Sequence, residues 1–167
     1  MKMAAVCVLW AAGLAAQTVG EMPEPPAYGQ LYYWDAAARA LRAVPYEMVR
    51  VRGKREERVA EFRGARAKLR FVEGAVPALV IAYASLPAGE WVSRMYLLES
   101  TGGLRRVPLG VWAAPVSGEL SAGAVPTRME KHGRFSYRLV TPVLRPGEYV
   151  VRSEGGSGGF AFGVDGK

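Results

Sequence analysis

A chain of 167 residues, half of them hydrophobic and 22% charged, is long enough for one domain with a sizeable core and carries no low-hydrophobicity tail of the kind that stays disordered. The formal net charge of +7 is local: residues 50–70 hold nine Arg and Lys against Glu56, Glu57 and Glu61, and beyond the N-terminal leader the rest of the chain nets zero. One histidine, one cysteine, two aspartates and no asparagine leave little material for a metal centre or a catalytic triad, and no cofactor is called for.

The chain begins with Lys2, an apolar run over residues 3–14, and Ala15-Ala16 before the polar Gln17-Thr18. This pattern describes a secretory signal peptide over residues 1–16, its apolar run too short to span a bilayer as a helix. Cys7 lies inside the run, too early for a lipid-anchoring cysteine, so the mature chain is expected to leave the cytoplasm without disulfides and to reside in the periplasm or outside the cell. After signal cleavage nothing membrane-spanning is expected. Residues 17–27 contain Met22-Pro-Glu-Pro-Pro-Ala and read as an extended, mobile spacer. The domain proper is expected over residues 28–167.

Leu31-Tyr-Tyr-Trp34 is a run of strong β-formers, and residues 35–39 turn the chain toward a second strand at 41–44. Val49-Arg-Val-Arg52 alternates apolar and basic residues, as does Ala65-Arg-Ala-Lys-Leu-Arg-Phe71, which predicts two strands with basic solvent faces and a further strand at 59–63 between them. Ala78-Leu-Val-Ile-Ala-Tyr-Ala84 is apolar throughout and reads as a central strand. A strand at 91–99 follows, then a Ser100-Thr-Gly-Gly103 hairpin loop and a strand at 104–112, in which Pro108 favours an edge or a bulge. Residues 115–125 form the longest loop. In the strand at 134–141, Phe135, Tyr137 and Leu139 share one face and Arg134, Ser136 and Arg138 the other. The chain closes with a hairpin: Pro146-Gly147 turns, a β-branched run follows, and Gly155-Gly-Ser-Gly-Gly159 connects to Phe160-Ala-Phe-Gly-Val. No segment sustains a helical period. About nine to eleven short strands joined by Gly and Pro turns point to an all-β, immunoglobulin-like two-sheet antiparallel β-sandwich over a closed barrel, and arginine on outward faces argues against an outer-membrane barrel.

The closing Leu144-Arg-Pro-Gly-Glu-Tyr-Val-Val151 and Phe160-Ala-Phe-Gly-Val-Asp165, with Leu31-Tyr-Tyr-Trp-Asp35 and Met95-Tyr-Leu-Leu-Glu99, resemble a loose group of secreted bacterial β-sandwich proteins of uncharacterised function. That resemblance implies export and an all-β fold, and carries no catalytic residues.

Catalytic chemistry finds little support. His132, in Lys131-His-Gly133, reads as a solvated turn histidine rather than a general base. Glu90, Glu99 and Glu148 lie near strand ends or turns, where glutamates are usually solvated; a paired-glutamate glycoside hydrolase is the alternative reading. The Gly155–Gly159 stretch lacks the lysine and helix of a phosphate loop. If the 49–52 and 65–71 strands are neighbours, Arg50, Arg52, Arg66, Lys68 and Arg70 form a basic stripe for an envelope polyanion (an anionic glycan or lipid headgroup) or another, acidic, envelope protein, with nucleic acid not expected. The bland alternative is a solvated face in a composition of seventeen arginines and five lysines that a GC-rich genome would also produce. Tyr32, Tyr33 and Trp34 are candidate aromatic contacts, though alternation sends at least one of them away from the others, and core packing is the favoured account of them. The expectation is a monomeric, non-catalytic binding or structural module of the cell envelope.

Overall fold

The computed structural model describes residues 22–54, 57–83, 95–113, 123–153 and 155–167. The expected leader, Glu56, Glu90, Trp91 and most of the 115–125 loop lie outside the described residues.

Two sheets form the body. The first has the order β11-β12-β7-β1-β2, built from β1 (Leu31–Asp35), β2 (Ala40–Ala43), β7 (Leu79–Ala82), β11 (Arg128–Lys131) and β12 (Ser136–Val140), all antiparallel. Alternation sets its faces: Leu31, Tyr33, Leu79, Ile81, Tyr137 and Leu139 meet the main core, while Tyr32, Val80 and Arg138 project the other way. The run at 79–82 is buried at every position, as its continuous apolarity leads one to expect.

The second sheet follows the path β3-β14-β13-β8-β9-β5-β4. Its strands are β3 (Tyr46–Met48), β4 (Arg50–Arg52), β5 (Val59–Arg63), β8 (Met95–Thr101), β9 (Leu104–Pro108), β13 (Gly147–Arg152) and β14 (Gly158–Asp165). Only Val49 separates β3 from β4, so the path starts and ends on one stretch of chain and the sheet nearly closes into a barrel. Off this path, β10 (Ala124–Val125) pairs with β8, and β6 (Arg70–Val72) runs parallel to the end of β14. The all-β, two-sheet class expected from the strand pattern is present, with one sheet strongly curled.

The reason for the curl is legible on β14. Phe160, Phe162 and Val164 face the first sheet and join Tyr149, Val151 and Leu31 in the main core. The opposite face carries Gly159, Ala161 and Gly163, small enough for the barrel interior to close over it. A Cβ at Gly159 would strike the Val150 side chain and the Val151 carbonyl, and one at Gly163 would strike the Arg70 guanidinium. The barrel interior is filled by a second cluster, including Phe62, Tyr96, Leu98, Val107, Trp112 and Val150. Trp112 reaches it from a short helix, α1 (Leu109–Ala113), its indole N–H donating to the Gly156 carbonyl at 3.1 Å.

Five expectations are corrected. The strand expected at 104–112 ends at Pro108, which has no N–H of its own to donate, and α1 takes over, with the Leu109 amide still donating to the Arg58 carbonyl at 2.8 Å; β9 is also an interior strand, not an edge. The 65–71 segment is not a strand: only Arg70–Val72 pairs, with β14 and not with 49–52. The described part of the proline-rich spacer is tied down, with the Met22 carbonyl 3.0 Å from the His132 ring nitrogen Nε2 and the Glu24 carboxylate accepting the Arg134 amide. Phe135 falls outside the strand and, half exposed, meets Tyr28 edge-on.

Because Phe162 is fully buried between Phe71 and Tyr149, Phe162→Ala is expected to lower unfolding free energy by about 3–5 kcal/mol in urea titrations without changing the slope. Val143→Ser, at a position 78% exposed, is expected to stay within about 0.5 kcal/mol of the parent.

Candidate anion-binding site

The stretch 46–52 hands its pairing over from one neighbour to another. β3 bonds to β14, with Glu47 opposite Gly159, whereas β4 bonds to β5, with Arg50 opposite Glu61. β5 ends at Arg63, and Gly64, at φ 81°, starts the turn that carries the chain toward β6. Between β3 and residues 63–68 the wall of the curled sheet therefore opens, leaving a cavity of about 590 Å³.

One side of the cavity is Tyr46, Glu47, Met48 and Arg50; the other is Arg63, Gly64, Arg66 and Lys68; Arg105 of β9 is its most deeply buried lining residue, at 1% exposed. Alternation puts Arg105 there: it lies opposite Phe62 on β5 and on the same face as Val107, both of the barrel interior. Its guanidinium is fixed by the rim. Nε donates to the Gly64 carbonyl at 3.1 Å, and Nη2 donates to the Arg63 carbonyl at 2.8 Å and to Glu47 Oε2 at 2.5 Å. Nη1 is buried with no acceptor. Arg66 donates to Asp165 at 2.5 Å, while among the described residues Arg50, Arg63 and Lys68 have no carboxylate partner. Glu47 is the one acid lining this cavity.

Of the five basic residues singled out in the sequence, Arg50, Arg66 and Lys68 thus come together and two do not. Arg52 lies on the outer surface, 3.9 Å from Glu61, which also pairs with Arg106 at 2.9 Å, so Glu61 neutralises part of the stripe. Arg70 is turned inward, because β6 joins β14 and leaves its guanidinium lying over Gly163. There Nη1 donates to Glu148, and Nε and Nη2 donate to Asp165 at 3.1 and 2.6 Å. Glu148 also accepts the Ala67 amide at 2.7 Å and is 6% exposed, which corrects its reading as a solvated glutamate; Glu99 is exposed. The hydrogen bonds from Arg70, and the charges of Arg70 and Arg66, hold the Asp165 carboxyl below the usual carboxylate range.

Sequence reasoning missed Arg63, Glu47 and Arg105. A signal for Arg105 was present: in Leu104-Arg-Arg-Val107, an inward Val107 forces Arg105 inward too.

The aromatic candidates separate as alternation requires. Tyr33 packs edge-on against Phe71 in the core, with ring centroids 5.3 Å apart, while Tyr32 and Trp34 take the opposite face and Tyr32 is buried there. His132 is half-buried rather than solvated, held at Met22. Residues 155–157 lie in the expected hairpin connection, with Gly155 and Gly156 at positive φ, whereas Gly158 and Gly159 already belong to β14. Among the described residues no three His, Cys, Asp or Glu side chains gather as metal ligands would, and no helix is long and apolar enough to cross a membrane. No family model matches the chain, and comparison with curated proteins and with solved structures finds no match.

Removing the guanidinium in Arg70→Met strands the buried Glu148 carboxylate, and a loss of about 3 kcal/mol at pH 7 is expected in urea unfolding. Asp165 has a folded pKa below its unfolded value, so its contribution is complete above the unfolded value and is lost as pH falls through the lowered one. Asp165→Asn is therefore expected to flatten the fall in stability below about pH 4, read from melting temperature against pH.

Proposed function

We propose that the protein is an exported, non-catalytic binding module of the cell envelope that holds an anionic group in the opening between β3 and residues 63–68. The observation that carries this reading is the convergence of Arg50, Arg63 and Lys68, none with a carboxylate partner among the described residues, on one cavity above the buried Arg105. Like charges brought together on a folded surface repel, and an anion entering between them relieves that repulsion. A concave opening favours a group that enters it, such as part of a glycan or a lipid headgroup, over the flat face of an acidic protein. The leader pattern and the resemblance to secreted β-sandwich proteins support a place in the periplasm or outside the cell. An immunoglobulin-like sandwich, the finer form of the fold suggested by the strand pattern, suits a rigid carrier of such a site.

Chromatography tests this. The triple variant Arg50→Ser, Arg63→Ser and Lys68→Ser is expected to elute from an anionic-glycan or anionic-lipid column at clearly lower salt than the parent. A control that removes three exposed arginines elsewhere (Arg58, Arg134 and Arg145) is expected to shift elution less. Equal shifts in the two variants would reduce the effect to net charge and remove the site.

A further inference from the structure

Resting on that reading, we infer that the cavity takes the terminal phosphate monoester of a small organic ligand, and that Glu47 is the resident carboxylate this phosphate competes with. Five observations converge. The cations come from separate elements, Arg50 on β4, Arg63 at the end of β5, Lys68 in the segment before β6 and Arg105 on β9, and line the cavity from more than one stretch of chain. A tetrahedral dianion with three terminal oxygens accepts from several directions and balances more of their charge than a planar monoanionic carboxylate does. Arg105 is 1% exposed and rigidly held through Nε and Nη2, leaving Nη1 as its one nitrogen without an acceptor. A buried charged donor without a partner is costly, and a second oxyanion at this guanidinium removes the deficit.

Size and surface say that the phosphate arrives attached to something. About 590 Å³ lies within the roughly 300–1,000 Å³ of small-molecule sites and exceeds what a bare ion fills. On the side that also carries Glu47 and Arg50, Tyr46 and Met48 make part of the wall apolar and open, at 42% and 65% exposed. Tyr46 is fixed as a surface by its edge-on packing against Phe160 and by its hydroxyl 3.1 Å from Ser157 Oγ. The ligand's apolar body lies on this wall while its phosphate faces the cations. Glu47 Oε2, 2.5 Å from Arg105 Nη2, already occupies the anion position in the free protein. Entry of the ligand means displacing or sharing that carboxylate, which gives the site its own internal competitor.

Calorimetry at pH 8, where a phosphate monoester is a dianion, tests this with inorganic phosphate, phenyl phosphate, benzyl alcohol, and vesicles of phosphatidylcholine with and without phosphatidate. Phenyl phosphate is expected to bind about tenfold more tightly than inorganic phosphate, and benzyl alcohol not at all. Met48→Ser is expected to remove most of that increment and leave inorganic phosphate unchanged; Glu47→Gln is expected to tighten both anions several-fold, thermal unfolding verifying that each variant folds. Binding to phosphatidate vesicles together with phenyl phosphate assigns the monoester to a lipid headgroup as well as to soluble esters, and binding to phenyl phosphate alone assigns it to soluble esters. Equal affinity for phenyl phosphate and inorganic phosphate overturns the inference. Retention on an anionic-glycan column through Arg50, Arg63 and Lys68 with no binding of either phosphate overturns the inference and leaves the anion-binding reading standing. Loss of both overturns the two together.

Discussion

Everything in this fold depends on a wall that two cores share. β14 is buried on both faces, and the two faces differ in size: Phe160, Phe162 and Val164 fill the space toward the first sheet, while Gly159, Ala161 and Gly163 let the second sheet close. Large residues on both faces would hold the strands apart on one side or the other, since packed interiors tolerate neither voids nor overlap. The glycines also admit polar groups where side chains would otherwise stand. Gly163 makes room for Arg70, and through it for the ion pairs with Glu148 and Asp165 that tie the crossing segment to the barrel end.

The same closure creates the opening. A strand in a complete barrel pairs with one neighbour on each side along its length, but 46–52 divides its length between β14 and β5. Where β3 leaves β5 behind, backbone carbonyls of Arg63 and Gly64 are freed from the ladder, and Arg105 takes them as acceptors. A fully buried guanidinium is thus explained without a ligand at two of its nitrogens. It is unexplained at the third, which directs attention to the cations around the rim.

Much of the fold was legible because strand alternation is a local signal. The closing hairpin, the buried run at 79–82, the strand at 59–63 and the two faces of 136–140 follow from period-two patterning and turn chemistry. What local pattern cannot carry is pairing. Ala65-Arg-Ala-Lys-Leu-Arg-Phe71 alternates as a strand does, yet Gly64 turns it across the barrel end and only its last residues find a partner, on β14. The basic stripe inferred from that alternation therefore broke into a cluster, a surface pair and a buried lock. Arg50, Arg66 and Lys68 were recognised as basic and solvent-facing; that Arg63, Glu47 and Arg105 complete their surroundings follows from contacts between segments up to 58 residues apart, as in the Arg105–Glu47 pair.

The central claim is that an anion reaches the guanidinium of Arg105. It is tested most directly by following arginine side-chain N–H resonances in ¹⁵N-labelled protein during titration with phenyl phosphate, Arg105 being assigned through Arg105→Lys. A saturating shift of the Arg105 signals, moving in step with those of Arg63, is the expected result. Saturation of Arg63 and other surface arginines while Arg105 stays unmoved would contradict it, and would leave the buried guanidinium as a purely structural brace between Glu47 and the end of β5.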